Sequence, residues 1–222
     1  MQALPGRWVV DVRAALPGAD PAAVAAAGRD LLARWDEPHR HYHDRVHLGE
    51  VLGALDVLCR AGRVGPRARS VAVLAAWFHD AVYAMAGAGE DERRSAALAR
   101  SVLQGLGAHE TLADDVATAV LDTVDHDLAG RDAGAASGTA RGLLHDADLW
   151  ILAAPTPRFD EYCEQVRAEY REVPARDYAT GRSAVLRPFL VREHVYVTER
   201  ARSAWEPVAR ENLARELTRL AG

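Results

Sequence analysis

The 222-residue chain contains no lysine; all 27 of its basic residues are arginine. Any phosphate recognition therefore falls to guanidinium groups, which suit bidentate contacts. The lysine-bearing, glycine-rich phosphate loop of triphosphate sites is absent too. Cysteine is scarce. Cys59 and Cys163 each sit in an amphipathic helical pattern, which predicts small buried hydrophobes rather than a disulfide or a ligand pair. No apolar run reaches ~18 residues, and no charged start precedes a long apolar segment, so neither a membrane span nor an export signal is expected. The expected location is cytoplasmic. Acidic residues outnumber basic ones, and a net charge of −5 gives no general attraction to nucleic acid. Period-two alternation and internal repeats are also missing, which argues against sheets and solenoids.

What remains is a helical pattern. The length and the 49% hydrophobic content suffice for a substantial core, and the expectation is an all-α, single-domain helical bundle over residues 1–222. Residues 1–19, with Trp8, Val9 and Val10 between Pro5 and Pro17, read as an irregular arm packed on the body. Asp20-Pro21 predicts a capped helix over 21–35, closed by Pro38. Apolar spacing predicts further helices over about 44–59, from Pro66 to the residues near 80, and over about 90–106, 111–125 and 140–153. Others follow from Thr156, over about 182–195 and over about 199–220, with Gly62 stopping the second and a Gly/Ala/Ser-rich loop at 129–139.

The stretch Val73–Tyr83 is apolar except for the adjacent pair His79-Asp80. An imidazole beside a carboxylate in a core helix needs partners, and a divalent cation takes both kinds of donor at once. Matching donors occur elsewhere. Upstream, Arg40-His41-Tyr42-His43-Asp44-Arg45-Val46-His47 holds three histidines, and downstream Asp146 and Asp148 interrupt an apolar helical run. Glu92, His109 and His126 lie between. His39, His43 and His47 are four apart, but Pro38 and the short lead-in disfavour one continuous helix through them. Neighbouring helical residues point about 100° apart, so His79 and Asp80 share an ion only if it sits between their directions, near a helix end. Asp146 and Asp148, two apart on a helix, cannot both face one ion.

The order His47, His79-Asp80, Asp148 resembles the signature of the HD-domain superfamily, whose members are mostly metal-dependent phosphohydrolases. Further stretches resemble one bacterial subgroup of predicted HD phosphohydrolases. They are Tyr42-His43-Asp44-x-x-His47, Trp77-Phe78-His79-Asp80-x-Val82-Tyr83, Asp91-Glu92-x-x-Ser95-Ala96 and Asp146-Ala147-Asp148-Leu149. Arg167-x-Glu169-Tyr170, Gly181-Arg182 and Ala209-Arg210-x-Asn212-Leu213 extend the likeness from about residue 40 to about 217. Asp44 departs from the pattern, which carries Asn there.

The resemblance implies His47, His79, Asp80 and Asp148 as ligands of a divalent metal ion (Mn, Fe, Co, Ni, Zn or Mg), with His43 as a neighbour and Asp146 as an outer residue. Two imidazoles and two carboxylates suit such an ion, which acidifies water and withdraws charge from phosphorus. The expected function is hydrolysis of a small phosphate ester, with a nucleotide as the default by analogy of fold. Glu92 and His126 are the candidates for proton transfer, and Arg40, Arg45, Arg167 and Arg182 the candidates for holding the phosphate. Two other readings stay open. One is an HD-fold di-iron oxygenase with additional histidine ligands in the interval that holds His109 and His126, where His109 reads as a loop residue and only His126 is well placed; the other is a non-catalytic metal- or nucleotide-binding regulatory domain.

Overall fold

The computed structural model describes residues 3–61, 64–87, 89–128 and 136–222. Among these residues the chain is all-helical, with ten α-helices, one 3-10 helix and no strand. The expected stop at Gly62 and most of the expected loop 129–139 lie outside the described residues.

Residues 4–15 correct the expectation of an irregular arm: they form α1 (Leu4–Ala15), with Pro5 in the first turn and Trp8 and Val12 buried four apart. Proline in a first turn loses no hydrogen bond. The buried stripe holds only those two residues, too few to register as a period. Trp8 packs edge-on against Trp77 and Phe78, at centroid distances of 5.3 and 5.9 Å, and its indole donates to the carbonyl of Val24 at 2.8 Å. That contact fixes α1 on α2 (Pro21–Trp35), whose Asp20 cap accepts from Ala23 N–H at 2.8 Å. Gly28 permits the approach, since a Cβ there would lie 2.4 Å from Trp8 Cδ1. Gly28→Ala is therefore expected to cost about 1–3 kcal/mol through overpacking, despite alanine's better helix propensity. Urea unfolding checks this, and an unchanged or higher midpoint would contradict it.

The next helix is α3 (Arg45–Ala61), opened by Asp44, whose Oδ1 accepts from the backbone N–H of Val46 at 2.7 Å and of His47 at 3.3 Å. Asn caps equally well, so Asp at this position serves the same capping function. At the centre lies α4 (Pro66–Phe78), in which every residue from Val71 to Phe78 is buried. A helix apolar on all sides must be enclosed on all sides, and α4 packs against α1, α3, α5, α6 and α7. It ends at Phe78, so His79 is its cap and Asp80 lies in the turn just beyond.

Helices α5 (Glu90–Gly105) and α6 (Glu110–Leu121) form a packed pair. Gly89, which precedes α5 at φ +71°, leaves no room for a side chain because a Cβ would meet Val124 Cγ1 at 2.9 Å. Next is α7 (Ala136–Asp148), so residues 136–139 are helical rather than loop, and Leu149–Ala153 continue it as a 3-10 turn. The last three helices are α8 (Thr156–Glu169), α9 (Ala175–Val191) and α10 (Glu199–Ala221). The start of α9 falls seven residues before the expected 182. Pro174 supplies the entry, and Gly181 sits inside the helix with open space around it. Among the described residues no helix is long and apolar enough to cross a membrane.

Candidate metal centre

Three elements bring the four expected donors together. His47 comes from the first turn of α3, His79 and Asp80 from the end of α4, and Asp148 from the last residue of α7. His47 and His79 are almost fully buried, at 2% and 1% exposure. Their Nε2 atoms lie 3.0 Å apart. Asp148 Oδ1 is 3.2 Å from His47 Nε2 and 3.4 Å from His79 Nε2, and Asp80 Oδ2 is 3.5 and 3.2 Å from the same atoms. An ion ~2.1 Å from each donor would set neighbouring donors about 3.0–3.4 Å apart. The His47, His79 and Asp80 donors lie within 4.8 Å of one another, and this group could hold a metal ion.

The protonation state of His79 sharpens the fit. Its Nδ1 lies 2.8 Å from the carbonyl of Ala76. A carbonyl only accepts, so Nδ1 carries the hydrogen and Nε2 of the neutral ring turns its lone pair toward His47, Asp80 and Asp148. A proton satisfies one such contact, whereas a divalent cation satisfies all of them. Burial opposes charge on both imidazoles, yet the Asp148 and Asp80 carboxylates prevail, holding His47 above its ordinary value and His79 well above it. Burial likewise opposes charge on the acids, and the imidazoles prevail, holding Asp80 and Asp148 well below the usual carboxylate range. The site is built to collect positive charge.

Arg40 fixes the backbone here. Its buried guanidinium donates to the carbonyls of His43 at 2.9 Å, Asp80 at 2.8 Å and Ala81 at 3.3 Å, tying the histidine-rich loop to the turn after α4. Trp35 walls the other side, its ring 5.6 Å from that of His79 and its indole donating to the carbonyl of Trp77 at 3.2 Å.

Asp80 and Asp148 face a cavity of about 570 Å³ that also receives Glu92, His126 and His43. Burial raises the Glu92 carboxyl above its ordinary value, and the negative charges of Asp80 and Asp91 add to this. His126 Nε2 lies 3.5 Å from Asp148 Oδ2, and burial pushes its imidazole down to about 4 despite that carboxylate. The residue has φ +49°, uncommon outside glycine. Its carbonyl accepts from Arg192 Nη1 at 2.6 Å, and His145 Nε2 lies 3.2 Å away.

The other expected residues are placed differently. Asp146, fully buried, accepts from the backbone N–H of Val197 and Thr198 at 2.7 Å each and from His145 at 3.0 Å, so it ties α7 to the turn before α10. Arg45 pairs with Asp36, and Arg167 donates to the carbonyls of Tyr170 and Val173 while lying over the Tyr178 ring. Of the four expected phosphate-binding arginines, only Arg182 lines the cavity. His109 caps α6, exposed to solvent. Cys163 is a free, buried thiol, whereas Cys59 is free but only half-buried.

One residue at the site carried no assigned role in the sequence. The buried Glu169 carboxylate accepts from the backbone N–H of His41, Tyr42 and His43 at 2.8–3.0 Å, and from Tyr83 Oη at 2.9 Å. It also bonds His43 Nδ1 at 2.8 Å. An acid in the same helical stripe as Tyr162, Cys163 and Val166 was the available signal. Burial alone would raise its pKa, but His43 and these N–H donors hold it down at about 2. A carboxyl at ~4.3 in the unfolded chain then contributes stability above that pH, and loses it as pH falls toward 2. Glu169→Gln should be markedly less stable than wild type at pH 7, with the gap closing between about pH 4.3 and 2. Parallel unfolding curves across that range, with a constant gap, would contradict this.

A scan against protein-family models and a search of curated proteins both return no match for this chain.

Proposed function

We propose that this chain is a metal-dependent phosphohydrolase of the HD-domain type, acting on a small phosphate ester, with a nucleotide as the default class. One observation carries the reading: the Nε2 atoms of His47 and His79 lie 3.0 Å apart, each within 3.5 Å of both the Asp80 and the Asp148 carboxylate, beside an open cavity. A divalent cation held there supplies an acidified water and draws negative charge off phosphorus.

The chain's own residues do the rest. Ala76 fixes the His79 tautomer, and Arg40 fixes the backbone of the His79-Asp80 turn. Trp35 excludes water from the buried side of the imidazoles. Glu92, with its raised affinity for a proton, exchanges protons with the substrate and the attacking water. His126 is neutral at pH 7 and is the second group able to do so.

The test is a screen of phosphomonoesters, nucleotides and cyclic nucleotides, each with Mn, Fe, Co, Ni, Zn and Mg. The expected result is hydrolysis that depends on the metal and disappears in His79→Ala. Metal binding without turnover of any compound would favour the regulatory-domain reading. Two irons per chain with oxygen consumption would favour the oxygenase; that reading calls on His109, which faces solvent, as well as His126.

A further inference from the structure

The cavity has a second charged feature besides the proposed metal ligands. Arg182, on α9, lines it together with Tyr162, Tyr178 and the apolar side chains of Val185, Leu186 and Phe189. Among the described residues the guanidinium has one hydrogen bond, to the neutral Tyr162 hydroxyl, whose ring lies 5.0 Å beneath it. Its Nε is fully buried with no hydrogen-bond partner, and so is the Tyr178 hydroxyl. Arg182 also lacks the carboxylate that Arg45 finds in Asp36, although the Arg45 Nε is likewise buried without a hydrogen-bond partner, while Arg40 and Arg167 donate to carbonyls.

A guanidinium cannot shed its proton at any ordinary pH, so withdrawing it from water without a counter-charge is costly. An anion in the cavity would supply both an acceptor for the unpartnered Nε–H and a counter-charge. Tyr162 links this spot to the proposed metal centre through ring contacts: 4.5 Å to Tyr42, and 4.6 Å from Tyr42 to His47. Two aromatic rings in succession, rather than a shared contact, thus connect Arg182 with His47. Arg167 lies over the Tyr178 ring at 4.8 Å, which gives that arginine a positioning role.

We infer that the Arg182–Tyr162–Tyr178 corner binds a second anionic oxygen group, so that the ligand is bifunctional: one phosphate at the His47/His79/Asp80/Asp148 end, an apolar body, and a separate anionic end. This rests on the phosphohydrolase reading for the first phosphate only. Arg182 is then a specificity residue rather than the holder of the scissile group, which differs from its expected role.

The test uses non-hydrolysable probes and measures binding by calorimetry on the full chain loaded with Mn²⁺. Alkylphosphonates of three to eight carbons are compared with the same compounds bearing an ω-carboxylate. A charge-assisted hydrogen bond in a dry site should make one chain length bind about tenfold or more tightly than its uncharged counterpart. Arg182→Gln should erase that advantage while changing affinity for the plain alkylphosphonate less than twofold. Tyr178→Phe, a milder change that guards against misfolding of the first variant, should reduce the advantage by about threefold. If no carboxylate improves binding, or if the advantage survives Arg182→Gln, the inference is overturned. If phosphonates fail to bind but ω-aryl carboxylates bind in an Arg182-dependent manner, the anionic corner stands and the phosphate-ester reading fails.

Discussion

Replacing His79 with alanine is expected to abolish stoichiometric metal binding while leaving the chain folded. His79 contributes the lone pair whose direction is set by Ala76, and it touches His47, Asp80 and Asp148. Its loss removes a direct donor, so affinity should fall by more than the roughly 10–100-fold that outer partners are worth. The same effect is expected of Asp80→Ala and Asp148→Ala. A thermal measurement reads it. For wild type, metal at 100 times its dissociation constant adds about 2.7 kcal/mol of stability by mass action. The three variants should show no such metal-dependent rise. The metal-free variants should still unfold cooperatively, less stable than wild type because each loses buried imidazole–carboxylate contacts. A metal-dependent rise that persists in both His79→Ala and Asp80→Ala would sink the proposed centre.

Glu92→Gln is expected to retain metal and fold but to lower hydrolysis by roughly 10²–10⁴-fold, the span of a lost general acid or base. The fold should tolerate it because the loop before α5 is held by a different acid. Asp91 Oδ2 accepts from the backbone N–H of Ala84 at 3.0 Å and of Ala86 at 3.1 Å, folding that loop back toward the cavity. Glu90 and Asp91 also keep the acidic first turn that suits the helix dipole. Glu92 is thus free to serve the cavity, with a carboxyl that burial makes a better proton acceptor. The measurement is turnover of whichever ester the screen identifies, compared with His126→Ala. Wild-type turnover in Glu92→Gln, with loss in metal-loaded His126→Ala, would transfer the role to His126. If neither variant changes the rate, both assignments fail and Glu92 is a helix-start charge only.

Where local chemistry determines structure, the sequence was easily read. Asp20-Pro21 placed the start of α2 to the residue, and Pro66 that of α4. The polar pair in the apolar α4 marked the candidate centre because a core helix accepts such residues only with partners. Tertiary contacts were harder. A two-residue stripe on α1 acquires meaning only against Trp77 and Phe78. The partners of Glu169 lie 86 to 128 residues away along the chain, so its place in an apolar stripe marked it as buried but did not reveal the loop it clamps. Arginines posed the same difficulty: whether a guanidinium meets a carbonyl, a carboxylate or an open cavity depends on packing, and Arg40, Arg45, Arg167 and Arg182 divide among those fates. Asp146 and Asp148 are the sharpest case. Two residues of helix rotation send one to backbone N–H groups and the other to the imidazoles.

The most direct test of the central claim is X-ray absorption at the cobalt edge of the full chain loaded with Co²⁺. The account predicts about one ion per chain, with only nitrogen and oxygen neighbours at ~2.0–2.2 Å and the outer-ring scattering of two imidazoles. It predicts no sulfur, because Cys59 and Cys163 lie outside the cluster. A spectrum lacking imidazole scattering, or one with a sulfur neighbour at ~2.3 Å, would contradict it.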